Sequence, residues 1–284
     1  MGSDFVRVLV VAPHPDDEVL GAGIWLRRHR DRELYVVHLT DGSPFDMQDA
    51  RAQQMASREE YAGVRRREVD AALDLIPIPA PNCFQLPFVD KETYRSLVEV
   101  VEALDEVICR VRPDLVLAPT YEGGHPDHDA AAFAVSTVSS RRRSFDWLEF
   151  PLYHAGDDGK MVTGKFADGG EGERVIALSP KEYQAKRAML ACFPSQAGFL
   201  SRFPVGSERF RPAPAHDFTK APDHATLLYE RWGWEISGEG WRERAKEAIA
   251  QLQNPANHTW RRTCSEQQIE IDAKPPRSLP EEFA

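Results

Sequence analysis

The 284 residues include only four cysteines, at positions 83, 109, 192 and 264, widely spaced and without a CxxC pair. That scarcity argues against a disulfide framework or a thiolate zinc knuckle, and for reduced, buried thiols. Positive charge is also short. Lys plus Arg 35 against Asp plus Glu 45 leaves a net charge of -10, so tight binding to a polyanion is disfavoured and no nucleic-acid partner is expected. No stretch approaches the ~18 apolar residues of a membrane span, and MGSDFVRVLVV has no basic flank before a long apolar core. We therefore expect no membrane partner and a soluble, cytoplasmic protein. Internal repeats and low-complexity tracts are missing, and 42% apolar with 28% charged residues is the composition of an ordinary globular chain.

What is present is an alternation of strand and helix signals. Apolar runs at 6–13, 34–42 and 114–120 read as buried strands, and amphipathic patterns at 17–29, 56–76, 91–111 and 128–138 as helices. In the third helix Leu97, Val100, Val101, Leu104, Val107, Ile108 and Val111 form one stripe. This order predicts an α/β fold with a mainly parallel sheet and helices on both faces. Further on, 147–154 reads as a strand, 160–179 as a hairpin around a Gly-rich turn, and 237–253 as a helix. Ser179 and Pro180 suit the N-cap and first position of another helix. We expect one domain over 1–253, with its core at about 5–155, a hairpin and helical elaboration on the substrate side at about 156–253, and a polar tail over 254–284.

Two dense polar clusters stand at strand ends: APHPDDE (12–18) and TYEGGHPDHDA (120–130). Ligands of open parallel sheets bind outside the carboxyl ends of the strands, so both clusters can face one crevice. His14, Asp17, His125 and His128 offer imidazole and carboxylate without thiolate, and three such groups plus water make an open zinc site of the hydrolytic kind. Asp16, beside a proposed ligand, suits a base that takes a proton from water. Each acid has a plainer reading, since Asp16, Asp17 or Asp127 could simply cap the helix that follows. Outside the clusters, His29, His38, His154, His216, His224 and His258 read as surface or hydrogen-bonded residues, with His216 the one placed to line the crevice.

APHPDDEVLGAG and GGHPDHDA resemble the two motifs of the LmbE-like or PIG-L family of zinc-dependent N-deacetylases. Weaker matches at VVHLTDG (36–42), RRREVDAAL (65–73), KRAMLACFPSQ (186–196) and GSERFR (206–211) extend the resemblance over roughly 5 to 212. It implies a Rossmann-like fold and removal of an acetyl or other acyl group from an amine, commonly on an amino sugar or sugar conjugate. It further implies zinc held by His14, Asp17 and His128, Asp16 as general base, and His125 as acid or oxyanion stabiliser held by Asp127. By the same resemblance Glu18 is a supporting residue and Arg65 contacts substrate, a surface arginine being the plainer alternative.

Three other functions suit the sequence less well. A metallophosphoesterase needs two metals and more ligands, a sugar-binding module needs no carboxylate beside the ligands, and a dinucleotide-binding domain would show GxGxxG at the first turn, which is absent here. The expected partner is a small N-acylated molecule, with homo-oligomerisation open. Specificity is expected in the loops at 45–54, 87–94 and 198–223, where Phe45, Phe88, Phe199 and Phe203, together with Trp232 beyond them, are candidates to stack on a sugar.

Overall fold

Val8 and Val10 on one side of the first strand and Leu9 and Val11 on the other are all inaccessible to solvent, so the sheet must be covered on both faces. The computed structural model describes residues 5–222 and 227–254. His224, His258, Cys264 and the expected tail beyond residue 254 therefore lie outside the described residues.

The first half alternates as the periodicity predicts: β1 (Arg7–Ala12), α1 (Asp17–Arg28), β2 (Glu33–Thr40), the short α2 (Gln48–Ala52), α3 (Arg58–Asp74), β3 (Cys83–Phe88), α4 (Leu97–Val111), β4 (Leu115–Pro119), α5 (Pro126–Arg142) and β5 (Asp146–Phe150). Then follow β6 (Tyr153–Ala155), β7 (Met161–Thr163), β8 (Arg174–Ala177), α6 (Pro180–Leu190), α7 (Ala197–Leu200), β9 (Ser207–Pro212), α8 (Leu228–Arg231) and α9 (Gly238–Gln253). The main sheet has seven strands in the order β3-β2-β1-β4-β5-β9-β8. Strands β3 to β5 in that order are parallel neighbours, while β9 is antiparallel to both β5 and β8. One face is covered by α4, α5 and α9 against Leu9, Val11, Val37 and Val116. The other is covered by α1, α3 and α6 against Val8, Val10, Val36 and Leu117. All seven residues of the expected α4 stripe are buried.

This is the α/β architecture expected, with three local differences. The hairpin expected within 160–179 does not form between its two strands: β7 pairs with β6, and β8 pairs with β9. The expected strand 147–154 divides at Pro151 into β5 and β6, because proline has no N–H to donate to a ladder. Strands β3 and β9 were not read from sequence. Strand β3 is a half-exposed edge strand containing Pro87, with little apolar signal. Cys83 and Cys192 are free thiols. The GAG of α1 packs the helix closely onto the sheet, since a Cβ on Gly21 would lie 2.2 Å from the Phe150 ring.

Candidate active site

The crossover from β3 to β4 carries the chain across β2 and β1, so β1 and β4 become neighbours although over 100 residues separate them. The two polar motifs leave the carboxyl ends of these adjacent strands, at the switch point where such sheets open a crevice.

Between β1 and α1 the HPDD turn crosses the sheet edge. Asp16 occupies the N-cap position of α1, yet its side chain makes no capping bond. Its φ of 148° is one that L residues rarely adopt, a strain tolerated only where the surroundings over-determine it. Its carboxylate instead receives Arg65 Nη2 at 3.1 Å. Arg65 reaches in from the middle of α3, is buried, and donates to the Pro15 carbonyl at 2.8 Å, so it is not a surface arginine. Gly42, at φ 66°, makes room for it, because a Cβ there would lie 2.9 Å from Arg65 Nε. Glu18 supports the turn from below, accepting from the Asp16 N–H at 3.2 Å and pairing with His38 Nε2 at 3.1 Å.

His14 stands at the centre. Its Nδ1 lies 3.0 Å from Asp17 Oδ2, and its Nε2 lies 3.1 Å from both Asp127 Oδ2 and Asp90 Oδ1. The same Asp17 Oδ2 lies 3.4 Å from His128 Nε2. His128 is buried, and neither of its ring nitrogens has a hydrogen bond among the described residues, an arrangement that costs about 1–3 kcal/mol unless something else binds there. Donor atoms held tetrahedrally by zinc at ~2.0–2.1 Å stand about 3.4 Å apart. The separations of 3.0 and 3.4 Å around Asp17 are close to that spacing, and an all-N/O donor set suits zinc. Two wider groupings also converge, His14 with His125 and His128, and His14 with Asp90, His125 and Asp127, each with donor atoms within 4.8 Å of one another. Asp17 belongs to neither; its Oδ2 faces His14 and His128, as Asp90 Oδ1 faces His14 and His125 at 3.1 and 3.5 Å.

His125 is the N-cap of α5, and its Nδ1 accepts the Asp127 N–H at 3.1 Å. In the neutral ring the proton therefore sits on Nε2, facing Asp90 Oδ1 at 3.5 Å. Asp127 thus holds His125 through its backbone N–H. Its carboxylate is 3.9 Å from Nδ1 and is engaged elsewhere, accepting from Thr93 Oγ1 at 2.5 Å and Lys91 N at 2.7 Å besides contacting His14. Asp127 caps no helix.

Charge in this dry pocket is strongly redistributed. Burial pushes the Asp16 carboxyl up to about 7 against the opposing pull of Arg65. Burial would also raise Asp17, but His128 and His14 hold it well below the carboxylate range. For His14, desolvation is outweighed by Asp90, Asp127 and Asp17, which raise its pKa. Burial and the neighbouring His14 and His128 keep His125 well below the usual imidazole range.

All seven residues singled out from sequence, His14, Asp16, Asp17, Arg65, His125, Asp127 and His128, are joined by these contacts. Sequence reasoning missed Asp90, Lys91 and Thr93 as individual residues, reading their loop only as a specificity segment. A single acid in a loop carries no spacing signal. It also missed Tyr153, whose ring meets His128 at 5.1 Å, and Trp234, whose ring meets His125 at 4.8 Å. His216 pairs with Glu149 at 2.7 Å rather than with the central cluster.

A buried His/Asp cluster thus stands at the switch point of the α/β sheet, where such sheets bind their ligands. Residues 9–139 match the family model PIG-L, described as GlcNAc-PI de-N-acetylase. A probable N-acetyl-alpha-D-glucosaminyl L-malate deacetylase 2 from Bacillus cereus is 30% identical over 151 residues, covering 52% of this chain and 66% of that protein. The diacetylchitobiose deacetylase of Thermococcus kodakarensis is 33% identical over 137 residues, covering 46% of this chain and 48% of that protein. The chain thus spans about half to two thirds of the length of these curated relatives. In fold it resembles a deacetylase from the teicoplanin biosynthesis pathway, with a TM-score of 0.60 at 18% identity, covering 75% of this chain and 99% of that one. The N,N'-diacetylchitobiose deacetylase of Pyrococcus horikoshii gives a TM-score of 0.51 at 22% identity, covering 74% and 85%. No helix among the described residues is long and apolar enough to cross a membrane.

Proposed function

We propose that this chain is a zinc-dependent N-deacetylase that removes an acetyl or other acyl group from an amine on a sugar or sugar conjugate. The observation that carries the reading is the single Asp17 oxygen set between His14 Nδ1 and the otherwise unbonded His128 Nε2, one residue from the Asp16–Arg65 pair. The PIG-L match and the two deacetylase relatives support it.

In this reading His14, Asp17 and His128 hold the metal. When bound there, zinc supplies a Lewis acid and makes water acidic enough to ionise near neutral pH. Asp127, itself fixed by Thr93 and the Lys91 N–H, orients the His14 ring through Nε2. Asp16, aimed by Arg65, takes the proton of the attacking water. The Nε2–H of neutral His125 donates to the oxygen that becomes negative when the amide carbonyl turns tetrahedral. Asp16 then returns its proton to the leaving nitrogen, releasing carboxylate and free amine. Burial of these groups keeps bulk water from screening their charges.

The test is amine release by the zinc-loaded protein from a panel of N-acetylated sugars, run beside Asp16→Asn. The variant should keep one zinc per chain and lose about 10²- to 10⁴-fold in kcat. Near wild-type turnover removes Asp16 from the role of base, and two metals per chain favour the phosphoesterase alternative.

A further inference from the structure

Side chains alternate along β2, so Val36, His38 and Thr40 point to the face that α1 and α3 cover. Val36 joins the core there, whereas His38 and Thr40 serve the HPDD turn. Thr40 donates to the Pro13 carbonyl from both its N–H and its hydroxyl, at 3.0 Å each. His38, opposite Ala12 at the end of β1, brings its Nε2 to 3.1 Å from Glu18 Oε2. The same oxygen accepts the Asp16 N–H at 3.2 Å. A carboxylate oxygen that already accepts one N–H suits a second donor, which places the His38 proton on Nε2.

Stability does not account for this pair. His38 and Glu18 are both wholly buried, and neither His38 Nδ1 nor Glu18 Oε1 has a hydrogen-bond partner among the described residues. Well-packed apolar side chains in place of such a buried pair are often neutral or stabilising, and the neighbouring positions of β2 are indeed Val36, Val37 and Leu39. What the pair does hold, among the described residues, is the N–H of Asp16. That residue has the rare φ of 148°. A change in φ turns the side chain relative to its own N–H. Glu18 fixes the N–H and Arg65 fixes the carboxylate at 3.1 Å, so the two anchors together set φ and the direction of the carboxylate.

We propose that His38 is a positioning residue for the reaction: through Glu18 it anchors the Asp16 N–H and so aims the Asp16 carboxylate at the attacking water. This rests on the reading of Asp16 as the base. The zinc-loaded full chain and its His38→Leu variant are assayed for amine release from N-acetylglucosamine and N,N'-diacetylchitobiose, with zinc content measured alongside. In the variant kcat should fall by about 10- to 100-fold, with KM and zinc content unchanged. His38→Gln, whose amide nitrogen reaches the place of Nε2, should restore most of the loss. His38→Asn, too short to reach Glu18, should not, and it carries the test if the apolar variant fails to fold. In an Asp16→Asn background, removing His38 should cost nothing further, because its effect passes through Asp16. An equal loss in both backgrounds, a loss of zinc, or unchanged kcat without His38 overturns the proposal while leaving deacetylation intact. Near wild-type turnover by Asp16→Asn overturns it together with the base assignment. Amine release from neither compound by the wild-type chain overturns it together with the deacetylase reading.

Discussion

Asp17 and His128 show how much of the site depends on single atoms. Asp17 Oδ2 accepts the His14 N–H at 2.9 Å and faces two ring nitrogens besides, which accounts for the lowered pKa of this carboxyl despite its burial. If His128 is a ligand, His128→Ala should lose zinc on dialysis while Asp90→Asn retains it, as metal analysis would show. Zinc lost from the Asp90 variant but kept without His128 would move the ion to the grouping of His14, Asp90, His125 and Asp127. The residues of both motifs were legible because histidine and carboxylate recur there at short spacing. Their partners were not. Thr93 is an unremarkable residue in the sequence, and only its hydroxyl's contact with Asp127 gives it a part in the site.

Helix α6 shows an element whose start was legible and whose purpose was not. Ser179 and Pro180 form the expected start, and Glu182 completes a capping box. Glu182 also pairs with Arg28 of α1, and Arg28 together with Ser179 lowers its pKa to about 2. Since the folded value lies below the unfolded one, the associated stability is present above about pH 4.5 and is lost as pH falls through about 2. Glu182→Gln should therefore cost about 1 kcal/mol or less at pH 7. Denaturant unfolding of the two proteins should converge near pH 2; an equal gap at both pH values would exclude the ion pair as its source. Deeper in, the buried Lys186 of α6 pairs with Glu208 of β9 and donates to the Leu20 carbonyl at 2.9 Å, while Glu208 accepts the N–H groups of Ile24 and Trp25 at 2.7 Å each. Two segments that match the family weakly in sequence are thus fastened to the helix that carries Asp17.

The whole molecule adds what no element contains, a crevice assembled from the ends of β1, β3, β4 and β5. An ion bound only by the folded state stabilises it by about 4 kcal/mol at a thousandfold excess over Kd. Zinc should accordingly raise the calorimetric midpoint of the metal-free protein by several degrees, and a chelator should reverse the shift; no change would mean that the clustered donors bind no zinc. The sequence by itself determined the succession β1, α1, β2, α3, α4, β4 and α5, the stripe of α4 and the identity of both polar motifs, because these are written in local periodicity and short spacing. It misassigned the partner of β7 and passed over β3 and β9, since strand pairing depends on segments that local pattern does not compare. Only the tertiary structure decided that Asp90 and Thr93 join the site and that His125 is held through a backbone N–H. These contacts are set by crossovers and registers that bring distant chain segments together, and spacing along the chain carries no record of them.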